Sequence, residues 1–156
     1  MEGYMDASTD ATALTDDVGF LLSRASGVVV RASNASLAGH GLRVRSYSVL
    51  LLAADSPDGV SQRELADVLG LDPSQVVLLV DELAAAGLVQ RRPSAADRRT
   101  KLVVATEAGR AARAAAGRDV DATLARQLAE LSAGEQQLLR EMLIRLVLAG
   151  RGAVGA

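Results

Sequence analysis

Apolar residues recur along the first part of the chain at a spacing that predicts a long amphipathic helix. Between Leu14 and Ala32 they return at alternating intervals of four and three residues, which draws one apolar seam along a helix over about residues 14–37. Gly39 and Gly41 follow this segment and end the helical pattern. A second helix is predicted over 44–54, because an apolar run is followed at once by the turn-forming sequence DSPDG.

Two short helices with strong start and stop signals come next. Ser61 and Glu64 have the spacing of a capping box, and the helix that they open ends near Gly70. Asp72 can cap the following helix, and Gly87 can close it. A helix-turn-helix requires two such short helices to cross closely.

The small and apolar residues of this pair have the spacing of a helix-turn-helix. Ala66 is small enough for a close helix crossing, and Gly70 tolerates the left-handed turn four positions later. Val76 and Leu79 can pack the second helix back against the first. An ordinary pair of packed helices is the alternative interpretation. Two short strands over 88–92 and 101–104, joined by an Arg-rich loop, favour a winged helix-turn-helix.

Two further helices are predicted beyond the hairpin. Thr106 can cap a helix that runs to about Glu130, and Ser132 with Glu135 forms a capping box for a helix that runs to about Leu148. The last helix carries a broad apolar surface. The expected fold class is therefore mainly α with a small β-hairpin wing (α+β): a winged helix-turn-helix between long N- and C-terminal helices.

Composition limits the kinds of chemistry that the chain can perform. Its 156 residues are 49% apolar but only 2% aromatic, so the core of a single domain must be built from Leu, Val and Ala. The absence of Cys excludes disulfides, zinc–thiolate sites and thiol redox sensing. No Gly-rich phosphate loop, catalytic pair or metal cluster is apparent, so neither an enzyme nor a cofactor is predicted. The N-terminus is acidic and polar, unlike a secretory signal, and no apolar run predicts a membrane span, which is typical of a cytoplasmic protein.

Positive charge is concentrated in the hairpin, although the formal net charge is −2. Between Arg91 and Lys101 the only acidic residue is Asp97. Because the location of the cations matters more for DNA binding than the net charge, this local cluster favours DNA contact. In the second helix of the motif, Gln75 could pair with adenine, and Val77 or Leu78 could contact a thymine methyl. Ser74 and Gln75 could equally well only cap their own helix. The residues predicted to bind DNA are Arg43, Arg45, Arg63, Ser74, Gln75, Val77, Leu78, Arg91, Arg92, Asp97, Arg98, Arg99 and Lys101.

The segment DRRTKLVVATEAG at 97–109, together with LADVLGLDPSQVVLLVDELAAAGLVQRRP upstream, resembles the MarR family of bacterial transcriptional regulators. The resemblance extends over about residues 14–148. It implies a single domain over 1–156, with dimerisation helices at 14–38 and 106–148 and a DNA-binding lobe at 44–104. It also implies a homodimer on a pseudo-palindromic operator, with Arg98 or Arg99 in a minor groove. Asp97 would orient one of these arginines or cap the hairpin turn.

One feature of the chain departs from the family pattern. Between Asp72 and Ala86 there is no Lys or Arg, so attraction to phosphates must come from Arg63, from Arg43 and Arg45, and from the wing. This predicts weaker affinity, or specificity that depends on groove shape.

The family resemblance also implies an effector, typically a small anionic aromatic compound bound where the dimer helices meet the DNA-binding lobe. The candidate ligand-binding residues are Arg24, Arg31, His40, Tyr47 and Arg113. His40 as a plain loop residue and Tyr47 as a packing residue are the alternatives. The predicted function is a dimeric, ligand-released repressor of transcription; the alternative is a winged-helix protein-interaction module that does not bind DNA.

Overall fold

The computed structural model describes residues 14–153, with side chains described as far as residue 150. The acidic stretch 1–13, whose sequence is unlike a secretory signal, lies outside the described residues. The elements in chain order are helix α1 (Val18–Leu37), a short 3-10 turn (Ala38–His40), helix α2 (Val44–Asp55), strand β1 (Val60–Ser61), helices α3 (Gln62–Leu69) and α4 (Pro73–Ala85), strands β2 (Val89–Pro93) and β3 (Lys101–Ala105), and helices α5 (Glu107–Gln127) and α6 (Ala133–Ala153).

The first helix begins later than its apolar seam predicts. Asp17 is its N-cap, and the Asp17 carboxylate accepts a hydrogen bond of 3.0 Å from the backbone N–H of Phe20. A carboxylate in this position satisfies a backbone donor that would otherwise be unpaired, so the continuous helix starts at Val18 and not near Leu14. The apolar period continues through the cap, which is why periodicity alone placed the start too early.

The helix-turn-helix forms as its caps predict. Ser61 Oγ accepts from the N–H of Glu64 at 3.1 Å, and Glu64 Oε2 accepts from the N–H of Ser61 at 2.8 Å. The backbone N–H and hydroxyl of Ser61 hold the pKa of the Glu64 carboxyl below its usual value, because both donate to the charged form. Gly70 ends α3 in the left-handed conformation, with φ of 63°, which reverses the chain into α4.

The sheet has a third strand that the sequence analysis did not predict. The two residues of β1 pair antiparallel with β3, so the strand order is β1-β3-β2. A strand this short has no alternation that could reveal it, and its partner lies some forty residues further along the chain. Strand β2 begins and ends one residue later than predicted, and β3 ends one residue later, with Val89 opposite Ala105 and Pro93 opposite Lys101.

The core lies where α2, α3, α4 and the sheet meet the C-terminal end of α1. Its fully buried side chains are aliphatic, as a chain with few aromatics requires. Burial of each such side chain stabilises the fold by about 1.5–3 kcal/mol. The largest are Leu37, Val49, Leu50, Leu65, Val76, Val80 and Val103.

The terminal helices leave much of their apolar surface uncovered. Helix α1 packs along α5, but α6 makes no substantial contact with any other element of residues 14–153 beyond its first turn, where Gln136 donates to the carbonyls of Leu128 and Leu131. Helix α5 ends at Gln127 and not near Glu130, and α6 continues past Leu148 to Ala153. The exposed large apolar residues on α1 and α6 are Val18, Phe20, Leu21, Leu22, Val30, Leu138, Met142, Leu143, Ile144, Leu146, Val147 and Leu148.

Within the described part of the chain, none of the helices has the combined length and apolar character needed to cross a bilayer.

Candidate nucleic-acid interface

Helix α4 has one face in the core and one face in solvent. Val76, Val80 and Leu83 are buried against the other elements of the lobe. Leu78 lies opposite these residues on the helix and is 64% exposed, whereas Val77 lies on the flank and is 37% exposed. Val77 and Leu78, which were equal candidates from the sequence, therefore differ in exposure, and Leu78 is the most exposed apolar side chain of this helix.

The first turn of α4 is partly occupied with its own cap. Gln75 Oε1 accepts from the backbone N–H of Asp72 at 3.3 Å, so the capping role foreseen for Gln75 is present. This bond uses the amide oxygen of Gln75. Ser74 is exposed one turn before Leu78 and lies on the same outward face.

The wing is built around a tight turn that Asp97 stabilises. Asp97 Oδ1 accepts from the backbone N–H of Arg99 at 3.0 Å, and the Asp97 carbonyl accepts from the N–H of Thr100, also at 3.0 Å. The N–H of Ser94 donates to the carbonyl of Thr100 at 2.8 Å and closes the loop. Of the two roles considered for Asp97, the structure contains the cap of the hairpin turn.

The tip of the wing presents cations without internal partners. Arg98, Arg99 and Lys101 are exposed, and no ion pair among residues 14–153 includes any of them. Arg92 lies beside Gln90 on β2; with the Gln90 amide oxygen turned toward it, that oxygen accepts from Nε and Nη2 of Arg92 at 3.1 and 2.6 Å. The guanidinium groups of Arg98 and Arg99, which form no ion pair among the described residues, suit the negative potential of a nucleic-acid groove.

Arg91 differs from the other cations of the wing because it is fixed to the helix-turn-helix. Its Nε donates to Gln62 Oε1 at 2.9 Å, and its Nη2 lies 2.7 Å from Asp81 Oδ1. One guanidinium thus joins β2 to the start of α3 and to the exposed side of α4. This role of Arg91 could not be predicted from the sequence, since no short-range pattern connects residue 91 to residue 62.

The remaining residues predicted to attract DNA phosphates lie at helix N-termini. Arg63 is exposed in the first turn of α3. Arg43 and Arg45 are exposed at the start of α2, where Arg43 helps to line an open cleft of about 590 Å³ with Asn34, Leu42 and neighbouring residues. No described contact joins Arg43 or Arg45 to the wing.

Of the five candidate effector residues, Arg113 belongs to α5, and His40 and Tyr47 lie against that helix. His40 Nε2 is 2.6 Å from Asp119 Oδ2, and Arg113 Nη2 is 3.4 Å from Asp55 Oδ1. Burial raises the pKa of the Tyr47 phenol, and the nearby Arg113 guanidinium opposes this shift. Arg113 Nε is buried with no hydrogen-bond partner among the described residues. Arg24 and Arg31 are exposed on α1.

Comparison with known proteins identifies the family. A family model described as the MarR family matches residues 40–100, which include the helix-turn-helix and most of the wing. The HTH-type transcriptional repressor Rv2887 of Mycobacterium tuberculosis strain H37Rv is 33% identical over 135 residues, which cover 85% of this chain and 96% of that protein. The chain belongs to the MarR family.

Solved structures of MarR-family proteins share its architecture. CouR from Rhodococcus jostii RHA1, bound to p-coumaroyl-CoA, is 48% identical with a TM-score of 0.82, over 86% of this chain and 94% of that chain. A CouR repressor bound to a 23-mer DNA duplex is 31% identical with a TM-score of 0.79, over 85% and 94% of the two chains. These likenesses extend beyond the DNA-binding lobe to the terminal helices of the MarR fold.

Proposed function

We propose that this MarR-family chain is a homodimeric transcriptional repressor that acts in the cytoplasm, binds a pseudo-palindromic operator and is released by a small anionic aromatic effector. Residues 44–104 form the DNA-binding lobe, and residues 14–38 and 106–148 form the dimerisation elements of one domain. The observation that carries the proposal is the cationic wing tip, where Arg98, Arg99 and Lys101 are exposed and unpaired beside an outward-facing α4. Relatives named as repressors, one of them solved on duplex DNA, support it.

The proposed dimer follows from the apolar surface that a single chain leaves in water. Helix α6 extends from the body with almost every apolar side chain exposed, and α1 exposes Val18, Leu21 and Leu22. Exposed apolar patches of this extent mark interaction surfaces in proteins. A second copy of the chain covers both helices symmetrically and sets the two DNA-binding lobes at a fixed separation.

The proposed effector site centres on Tyr47 and Arg113. The buried, unpartnered Nε of Arg113 can donate to a carboxylate or another anionic oxygen, and the half-buried ring of Tyr47 can pack against an aromatic group. His40, Arg24 and Arg31 are the outer members of the candidate set. The relative solved with p-coumaroyl-CoA, an aromatic acyl thioester, supports an aromatic acid or its thioester as the ligand class.

Replacement of the wing-tip arginines tests DNA binding. The Arg98→Ala/Arg99→Ala variant should bind a selected operator more than tenfold more weakly, with a salt slope smaller by up to roughly 3.6, since each lost phosphate contact removes about 0.9 and a dimer loses four arginines. Fluorescence anisotropy across a salt series measures both quantities. The Arg118→Ala/Arg140→Ala variant, with its dimeric state checked by sedimentation because both positions lie in the proposed dimerisation elements, is the control that removes two exposed arginines outside the lobe.

The same titration decides between the proposal and its alternative. Unchanged binding by the Arg98→Ala/Arg99→Ala variant would contradict the role of the wing. Failure of the wild-type chain to bind any duplex from a random pool at low salt would contradict the repressor and favour a protein-interaction module. Release from the operator by p-coumaroyl-CoA, p-coumarate or salicylate tests the effector, and Arg113→Gln should weaken that release while leaving operator binding intact.

A further inference from the structure

Helix α4 offers few of the side chains that usually recognise base edges. It has no Lys or Arg between Asp72 and Ala86, and the oxygen of Gln75 is taken up by the backbone N–H of Asp72. Asp81, on the exposed side of the same helix, is held by Arg91 at 2.7 Å. The largest side chain left free on the outward face is Leu78.

The surroundings of Leu78 limit what it can contact. Its neighbours on the helix surface, three and four residues away in each direction, are Ser74, Gln75, Asp81 and Glu82, all of them polar. Protein-docking surfaces are contiguous apolar patches of several hundred Å², which one leucine ringed by polar side chains does not provide. A suitable partner for Leu78 presents a single apolar group on an otherwise polar surface.

The floor of the major groove has that chemistry at one kind of base. Guanine, adenine and cytosine are recognised there through hydrogen-bonding groups, whereas thymine adds its C5-methyl group. A leucine placed over the donors or acceptors of the other bases removes them from water without replacing their hydrogen bonds, which is unfavourable. A leucine over a thymine methyl buries two apolar groups against each other.

We infer that Leu78 is a specificity-determining residue that reads the C5-methyl group of one thymine in each operator half-site. Leu78 can do so only if the chain binds duplex DNA, so the inference rests on the function proposed above. It gives this recognition helix direct base readout through apolar contact, where the lack of cations had predicted weaker affinity, or specificity that depends on groove shape. The wing and Arg63 supply attraction to the backbone, and Leu78 supplies discrimination among bases.

Replacement of single thymines by deoxyuridine tests the inference, because it removes the methyl group and leaves base pairing intact. Operators are first selected from a random duplex pool with the full-length chain. Each thymine is then replaced in turn, and the dissociation constant is measured by fluorescence anisotropy at fixed salt. For wild type, one position should lose about fourfold in affinity per half-site and about fifteenfold when both half-sites are replaced.

Two variants assign the effect to the side chain. Leu78→Ala should bind more weakly and show no sensitivity to deoxyuridine at that position, and selection with it should lose the thymine preference there. Leu78 is mostly exposed, so this variant should keep its fold, which circular dichroism checks. Val77→Ala, which shortens the adjacent flanking residue, should retain the full deoxyuridine effect.

The possible failures are distinguishable. If no thymine responds to deoxyuridine, or if Leu78→Ala responds as wild type does, Leu78 does not read a methyl group, although the repressor function stands. If Val77→Ala abolishes the response and Leu78→Ala does not, the assignment to Leu78 is wrong. If selection yields no specific duplex, both the repressor function and the reading role of Leu78 are overturned.

Discussion

At the scale of single residues, the cations of the wing have different tasks. Arg98 and Arg99 have no internal ion pair among the described residues, whereas Arg91 is bonded to Gln62 and Asp81 on the two helices of the motif. Neighbouring arginines in one sequence cluster are therefore not interchangeable. When the donors of an arginine are already hydrogen-bonded within the protein, the arginine holds its partners in place. When its donors are free, it can bind phosphate or enter a groove of the DNA.

This difference predicts that loss of Arg91 weakens DNA binding by misplacing the wing. Arg91→Ala should lower operator affinity severalfold and leave the salt slope close to that of wild type, while Arg98→Ala should reduce the slope by about 1.8 for the dimer. The stability of Arg91→Ala should fall by less than about 1 kcal/mol, because the ion pair with Asp81 lies at the surface and is partly exposed to solvent. Anisotropy at several salt concentrations and urea unfolding measure these effects.

Asp81→Asn provides the control for the same link. It removes the charge that Arg91 holds but keeps an oxygen that can accept the hydrogen bond, so it should bind DNA as well as wild type or better. A salt slope for Arg91→Ala that falls as far as that of Arg98→Ala would mean that Arg91 contacts phosphate directly, as the sequence analysis predicted.

At the scale of elements, the junction between the hairpin and α5 depends on one glycine. A Cβ atom on Gly109 would lie 1.9 Å from the carbonyl oxygen of Leu88 and 3.3 Å from Leu50 Cδ1. Thr106 fixes the same junction, since its Oγ1 donates to the carbonyl of Gly87 at 2.6 Å and accepts from the N–H of Gly109 at 3.0 Å. The start of α5 is thereby held directly against the base of the wing.

Gly109→Ala should accordingly destabilise the fold by about 1–3 kcal/mol or more, because backbone and not a flexible side chain must move to admit the methyl group. Gly134→Ala is the matched control: it has no heavy atom within 4 Å of its added Cβ and lies in the first turn of α6. It should leave stability unchanged or raise it by up to about 1 kcal/mol. Urea unfolding compares the two, and equal midpoints would contradict the close approach.

At the scale of the whole molecule, the uncovered apolar faces of α1 and α6 predict a dimer, and the oligomeric state of the protein tests this prediction. The Met142→Glu/Leu146→Glu variant places two charges per chain on the exposed apolar side of α6. We expect it to sediment as a monomer and to lose operator binding, since desolvating unpaired charges opposes association. The Met142→Leu/Leu146→Met variant keeps the surface apolar and should remain dimeric. Wild-type protein that sediments as a single chain at working concentration would refute the dimer.

Much of the fold could be predicted from the sequence because it depends on contacts between near neighbours. The caps at Ser61, Thr106 and Ser132 join residues three positions apart, and the turn at Gly70 follows from a conformation that glycine adopts without strain. The family resemblance of the wing segment is likewise a local pattern. These signals determined the helix order, the helix-turn-helix, the hairpin and the family.

The features that only the tertiary structure decided depend on residues far apart in the chain. Strand β1, the Arg91–Gln62 contact across 29 positions and the His40–Asp119 pair across 79 positions follow from how the elements pack, which no local pattern encodes. Leu78 is more exposed than Val77 because the face of α4 that carries Val76, Val80 and Leu83 packs against the core, and not because of the composition of the helix. An apolar period indicates that a helix face will be buried, but only packing determines whether the same chain buries it. In α6, the apolar face is not covered by the other described residues.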